Sequence, residues 1–145
     1  MVDEEIAFIP YYPLEAVTLP WYQDKTLVKQ VDNKEELYTC EKLERMYTYL
    51  RDRGDLWYIT WKGRIVGDIS LQDNGEIAIV VAPAYQNRHI GRRCIAELLR
   101  VAKEKGMEQV YANVYAFNEQ SRKMFLAEGF EQVGEEELRY TILKD

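Results

Sequence analysis

The run Val80-Val81-Ala82-Pro83-Ala84-Tyr85-Gln86-Asn87-Arg88-His89-Ile90-Gly91-Arg92-Arg93 decides how the rest of the chain is read. A β-branched strand ends at a proline, which has no N–H to give to a ladder. A short polar loop follows, and an amphipathic segment starts near Gly91. The first N–H groups of a helix lack an internal partner and point outward, and the helix dipole adds positive potential there. Such a junction binds anions. Arg88, Arg92 and Arg93 add local positive charge in a chain whose formal net charge is -6. A basic helix start opposes the dipole unless an anion offsets it. The alternative is a solvated basic turn paired to nearby Glu residues.

Helix and strand alternate downstream of the run. Ile90 to Lys105 carries Ile90, Cys94, Leu98, Leu99 and Ala102 on one face, and Gly106 stops it. Gln109 to Val114 reads as a strand and Gln120 to Glu128 as a helix closed by Gly129. Glu131 to Leu143 holds one or two final strands, with a turn at Gly134. Upstream, Leu56–Trp61, Arg64–Leu71 and Glu76–Val81 are strands parted by Lys62-Gly63 and Asp73-Asn74-Gly75, an antiparallel meander. Leu37, Cys40, Leu43, Met46, Tyr47 and Leu50 give a helical stripe over Lys34 to Arg53, capped by Asp32 or Asn33 and ended by Gly54. Ile6–Ile9 is an edge strand. Between them, Pro10, Pro13 and Pro20 predict loop with one or two short helices. The fold class is mixed α/β.

The chain's 145 residues suit one domain over 1–145. That length buries a core without staples. The acidic balance disfavours coating nucleic acid and leaves an amine-bearing substrate open. Two cysteines, Cys40 and Cys94, and one histidine do not make a structural zinc site, so no metal is expected. Cys94 falls on an apolar helix face. Unpaired thiols, an acidic start (Met1–Glu5) and the lack of a spanning apolar run point to the cytoplasm and away from a membrane. There is no Gly-x-x-x-x-Gly-Lys-Ser/Thr and no Gly-x-Gly-x-x-Gly, which argues against other phosphate-binding folds.

These residues resemble the signature of the GNAT family of N-acetyltransferases, Gln/Arg-x-x-Gly-x-Gly/Ala after a strand reading roughly Val-x-Pro-x-Tyr. Here Val81-Ala82-Pro83-Ala84-Tyr85 precedes Gln86-x-x-His89-x-Gly91. The family continues with a strand, Asn-x-x-Ala/Ser and a short helix ending in Gly-Phe. Here these are Asn118-Glu119-Gln120-Ser121 and Gly129-Phe130. The likeness covers Arg64 to Phe130 and is weak before about Trp57.

The resemblance implies a central mixed sheet of about six to seven strands flanked by helices. It also implies acetyl-CoA as co-substrate and an amine as acceptor, either a small molecule or a protein N-terminus. A homodimer is left open. Strands Glu76–Val81 and Gln109–Val114 would splay to take the pantetheine arm, hydrogen-bonded near Val81, Ala82 and Pro83. N–H groups of Arg88, His89, Ile90, Gly91, Arg92 and Arg93 would hold the pyrophosphate. Asn118 would touch the pantetheine from the far side, with Ser121 and Phe125 beside the thioester. The amine would attack directly, aided by proximity and by a backbone N–H on the carbonyl.

The sequence departs from the family at two positions. His89 replaces the first glycine of the signature. Phe125 replaces a tyrosine that in many relatives protonates the leaving thiolate. Tyr115, Tyr111 and Tyr140 are candidates to replace it, or the thiolate, with a pKa of about 8.5, leaves unaided. Glu76 is the first candidate for general base and Asp68 the second, though each also reads as a surface or turn acid. Tyr11, Tyr12, Trp21, Tyr22, Trp57, Tyr58 and Trp61 either surround the acceptor or pack the core. A module of this fold that holds acyl-CoA without turnover is the alternative function.

Overall fold

Tight turns divide the middle of the chain into the expected meander. In the computed structural model, which describes residues 3–34 and 36–142, strands β1 (Ile6–Pro10), β2 (Gly54–Trp61), β3 (Arg64–Gln72) and β4 (Ile77–Val81) form one antiparallel sheet in that order. Lys62 and Gly63 turn through the left-handed region between β2 and β3. Gly54 is required by contact: a Cβ there would lie 2.2 Å from the Leu71 carbonyl oxygen. Strands β5 (Gln109–Asn113), β6 (Glu131–Gln132) and β7 (Glu137–Thr141) form a second sheet in the order β5-β7-β6.

Helices cover both faces. On one side lie α4 (Ile90–Glu104) and α5 (Glu119–Ala127). The apolar stripe of α4, with Ile90, Cys94, Ile95 and Leu98, is buried against Ile59, Ile69, Leu71 and Ile77. On the other side lie α1 (Glu15–Thr18), a 3-10 helix (Leu19–Gln23), α2 (Lys25–Asp32) and α3 (Cys40–Asp52). Their Tyr22, Leu27, Leu43 and Tyr47 pack over Leu56, Val80 and Ala82 in a second core. Every residue of β3 from Val66 to Gln72 is therefore buried.

Strands and helices from β2 to α5 begin and end within two residues of the sequence reading. The correction is α3. It starts at Cys40, with Thr39 Oγ1 accepting from the Lys42 N–H at 3.2 Å, and not at Lys34. Asn33 does not cap its start. In the left-handed conformation (φ 54°) it ends α2, a short helix in the stretch where proline punctuation predicts one. Leu37 fits the helical stripe, but it and Tyr38 pack from chain ahead of the helix, where the Tyr38 N–H donates to the Tyr22 carbonyl at 3.1 Å. Gly54 opens β2 instead of closing the helix. Glu35 and Leu143 lie outside the described residues.

Ser70 Oγ is buried on β3 without a partner among the described residues. A stranded buried hydroxyl costs roughly 1–3 kcal/mol. Ser70→Ala is expected to raise unfolding free energy by about 1 kcal/mol in urea titration; a loss of similar size would mean the hydroxyl is satisfied in solution.

Candidate active site

Strands β4 and β5 run parallel and, among the described residues, touch through one isolated bridge, Glu76 to Tyr111. There the Tyr111 N–H donates to the Gly75 carbonyl at 3.0 Å. Past it β4 and β5 make no further pairing among the described residues and part; on its other edge β5 pairs with β7 throughout, from Gln109 opposite Thr141 to Asn113 opposite Glu137. The Gln72 N–H donates to the Glu76 carbonyl (2.9 Å) and the Ala82 N–H to the Val66 carbonyl (2.7 Å), so even-numbered residues of β4 bond to β3. Antiparallel alternation then turns the N–H and C=O groups of Ile79 and Val81 toward the gap. The gap is a cleft of about 880 Å³.

The cleft passes between the two faces of the sheet. Ile77 packs with α4 and Val80 with the α2 side. Toward α4 and α5 it is lined by His89, Gly91, Arg92, Ser121, Lys123 and Phe125. On the α2 side it is lined by Glu76, Asn113 and Tyr115, with Leu27, Gln30 and Val31 as a wall. Cationic side chains thus stand toward α4 and α5, and Glu76 lies at the closed end beside the bridge.

The loop before α4 is fixed by its first motif residue: Gln86 Nε2 donates to the Val81 carbonyl at 3.0 Å. Asn87 and His89 have φ of 63° and 61°, and Arg88 between them is not left-handed. Alternation of this kind turns successive N–H groups inward, as in anion-binding nests. A left-handed residue at this position suits the glycine of the signature, and histidine is among the side chains that tolerate this region. The His89 side chain is exposed. Gly91 permits α4 to approach α5, because a Cβ would meet Met124 Sδ at 2.6 Å.

The three arginines diverge. Arg92 lines the cleft and pairs with Glu128 at 3.2 Å. Arg88 lies over the Trp61 ring, 5.6 Å from its centre. Arg93 turns to the amino-terminal segment, donating to Asp3 Oδ2 at 2.6 Å and Glu5 Oε1 at 3.2 Å. Neither Arg88, Arg93, Ala82 nor Pro83 is among the residues lining the cleft.

The remaining sequence candidates separate in the same way. Asn118 caps α5, its Oδ1 accepting from the Ser121 N–H at 3.3 Å, and lines the cleft. Phe125 is buried edge-on to Phe130, centres 5.0 Å apart. Tyr115 lines the cleft and stacks on Phe117 at 5.7 Å. Tyr111 sits at the closed end, its hydroxyl 3.5 Å from Glu76 Oε1; burial, then the Glu76 charge, holds its pKa above the ordinary phenol value. Tyr140 packs on Phe130 away from the cleft.

Asp68 is neither a surface acid nor a cleft residue: it is buried behind Val80. None of the seven N-terminal and β2 aromatics lines the cleft. Tyr11, Tyr22 and Tyr58 form a tyrosine cluster with Tyr47. Tyr12 is edge-on to Tyr58, Trp57 packs on Phe8, and Trp61 on Tyr85. Trp21 is buried.

Sequence reasoning missed Lys123 and Gln120 of α5, Gln30 of α2 and Glu136, all in the cleft lining. Lys123 sits two residues past Ser121 of the Asn-x-x-Ser motif, a usable signal. Gln120 Nε2 donates to Asn87 Oδ1 at 3.2 Å, tying α5 to the loop. Nothing local marks Gln30 or Glu136.

Two splayed parallel strands with a helix start at the open end are the arrangement of an acyl-CoA-dependent acyltransferase fold. The model of the acetyltransferase (GNAT) family matches residues 17–130, and the chain belongs to that family. Thialysine N-epsilon-acetyltransferase of Bos taurus is 34% identical over 80 residues, which are 55% of this chain and 42% of that protein; the match spans less than half the length of that relative. Spermidine N-acetyltransferase from Vibrio cholerae, solved in complex with CoA and spermine, shares the fold at a TM-score of 0.81, 12% identity and 97% coverage of both chains. An acetyltransferase of the GNAT family from Bacillus anthracis does so at 0.80 and 17% identity, over 97% of this chain and 95% of that one. Among the described residues, no helix is long and apolar enough to cross a membrane.

Asp3 accepts from the Glu5 and Ile6 N–H groups while it holds Arg93. Burial pushes its pKa up, but these bonds outweigh that and leave it below the usual carboxylate value. Stability from this contact is present at neutral pH and lost as pH falls through the depressed value. Arg93→Ala is expected to cost the fold at most about 1 kcal/mol. Hydrogen exchange at Glu5 and Ile6 should be faster in the variant at pH 7; unchanged rates there would show that Arg93 does not anchor the segment.

Proposed function

We propose that this chain is an N-acetyltransferase, a single domain over 1–145, that moves the acetyl group of acetyl-CoA to a primary amine. The observation that carries the proposal is the parting of β4 from β5 next to the α4 start, which leaves strand-edge groups of Ile79 and Val81 facing a cleft. A pantetheine arm carries amide groups of the right kind to pair with that edge. Its pyrophosphate would meet the N–H groups around His89 to Arg93, with Arg92 and Lys123 adding charge. The acetyl end would then point through the sheet toward Glu76 and Tyr115.

The amine enters from the α2 side, where Leu27, Gln30 and Val31 form the wall. Its ammonium loses a proton to Glu76, directly or through water. The amine nitrogen attacks the thioester carbonyl carbon, with a β4 N–H supporting the oxygen as it gains charge. The intermediate collapses with breakage of the C–S bond. Tyr115 supplies the proton that the thiolate takes up and regains one, directly or through water, from the nitrogen as it becomes the amide; the buried Phe125 has no hydroxyl for this task. An exposed free Cys40 and a buried free Cys94 suit a reducing cytoplasm.

Phe125 also favours the second reading, a module that holds acyl-CoA without turnover. Calorimetry with acetyl-CoA, followed by a thiol-release screen over diamines, amino acids and peptide N-termini, decides between them. Binding with release on at least one amine supports the enzyme, binding without release supports the module, and no binding overturns both. In an active enzyme, Glu76→Gln is expected to lower kcat by about 10²-fold with acetyl-CoA affinity kept. Arg92→Ala and Lys123→Ala are expected to weaken acetyl-CoA binding more than they change the melting temperature.

A further inference from the structure

Asp68 carries a carboxyl group that the proposed reaction does not use. It is 3% exposed, and its Oδ2 accepts from the Tyr22 hydroxyl at 2.6 Å and the Tyr47 hydroxyl at 2.9 Å. No lysine or arginine pairs with it among the described residues. The titratable groups around it are phenols: Tyr22 from the 3-10 helix, Tyr47 from α3 and Tyr58 from β2, with Tyr11 and Tyr38 behind them. All five are held above the ordinary phenol value, chiefly by burial, and stay neutral. From β4, apolar Val80 faces it across the strands. Full charges act on the phenols around it, Glu15, Glu44 and Arg51 on Tyr11, Glu15 on Tyr58 and Asp32 on Tyr38.

Tyr22 leads directly into the acceptor-side wall. Asp24, two residues on, caps α2 by accepting from the Leu27 N–H at 3.0 Å. α2 supplies Leu27, Gln30 and Val31 to the cleft. The far end of α2 is held by Asp32, which accepts from the Tyr38 hydroxyl at 2.7 Å and pairs with Lys42 at 3.3 Å. The hydrogen bond from Tyr22 to Asp68 is thus where the segment leading into α2 is fixed to the sheet.

We propose that Asp68 is a positioning residue whose buried charge, acting through Tyr22, keeps the α2 wall movable so that the amine can enter. A carboxylate without a cation gains from any opening that returns it to water. A neutral group at the same place does not. Burial, opposed by the two hydroxyl bonds, raises the Asp68 pKa to about 6. Where undocking of the Tyr22–α2 segment lets water in, the carboxyl reverts toward its ordinary value. The docked wall therefore binds the proton more tightly than the open one. By linkage, docking is firmest at acid pH and loosens as pH rises through 6. The same sign holds for global stability, which this group lowers as the pH climbs from about 4 to 6.

The idea rests on the N-acetyltransferase reading for its purpose, and its test is separable from that reading. Amide hydrogen exchange across α2, corrected for intrinsic rates, is followed from pH 5 to 8 in the wild type and in Asp68→Asn. The carboxamide oxygen of the variant can still accept from the Tyr22 and Tyr47 hydroxyls that Asp68 Oδ2 accepts from. Wild-type protection is expected to fall by about tenfold across pH 6, while the variant stays protected throughout. The variant should melt higher at pH 7.5, by a smaller margin at pH 5, and no higher at pH 4. With an accepted amine, it should lose several-fold in kcat/KM for the amine and less than twofold in KM for acetyl-CoA.

Parallel exchange profiles in the two proteins would overturn the proposal, as would a variant that melts lower at pH 7.5 with amine kinetics unchanged. Should Asp68→Asn not fold, Tyr47→Phe keeps the carboxylate, removes one supporting hydroxyl, and should move the loosening to higher pH. An unmoved transition in that variant also counts against the clamp. Absence of thiol release from the wild type with any amine removes the enzyme reading but leaves the exchange result standing.

Discussion

The architecture depends on a refusal to pair. Parallel strands brought side by side normally satisfy their N–H and C=O groups along their whole length, and a buried group left unpaired costs free energy. Here β4 and β5 meet at Glu76 and Tyr111 and pair no further among the described residues, while the other edge of β5 is taken along its whole length by β7. One carbonyl so released, that of Val81, is taken by Gln86 from the loop that β4 feeds. The rest of the open edge, at Ile79 and Val81, lines the cleft. The placement of α4, with His89 turned left-handed to start it and Gly91 close against α5, follows from where β4 ends.

The second constraint lies on the other face. Covering β3 from both sides traps Asp68, Ser70 and Gln72 in the interior. At Asp68 tyrosine resolves this, because its ring adds apolar packing while its hydroxyl reaches the trapped carboxyl group. The cluster around Asp68 is both the second core and the mounting of α2. Stability of the helical layer and the shape of the acceptor wall are therefore coupled through one group.

Much of this is written locally. Glycine and asparagine turns, β-branched runs and the stripe of α4 define the strands and helices from β2 to α5, and the glutamine, glycine and asparagine of the two motifs mark the cleft. What stays hidden is long-range. Asp68, Ser70 and Gln72 alternate with apolar residues in the pattern of a strand with one wet face, and only the helices packed on that face make them buried. The start of α3 is misplaced because Leu37 meets the helical period while packing against the second core from outside the helix. Arg93 reads as an anion ligand beside a helix start, yet its partner Asp3 lies ninety residues away in the chain. Glu136 and Gln30 enter the cleft from elements whose placement no local pattern carries.

The open edge of β4 is the claim on which the rest stands, and its backbone amides report on it directly. Amide exchange at Ile79 and Val81, measured with and without acetyl-CoA, is expected to be fast in the free protein and strongly protected in the complex. Ala78 and Val80, bonded to β3, should be protected in both. Slow exchange at Ile79 and Val81 before ligand is added, or tight acetyl-CoA binding that leaves them fast, would contradict the account.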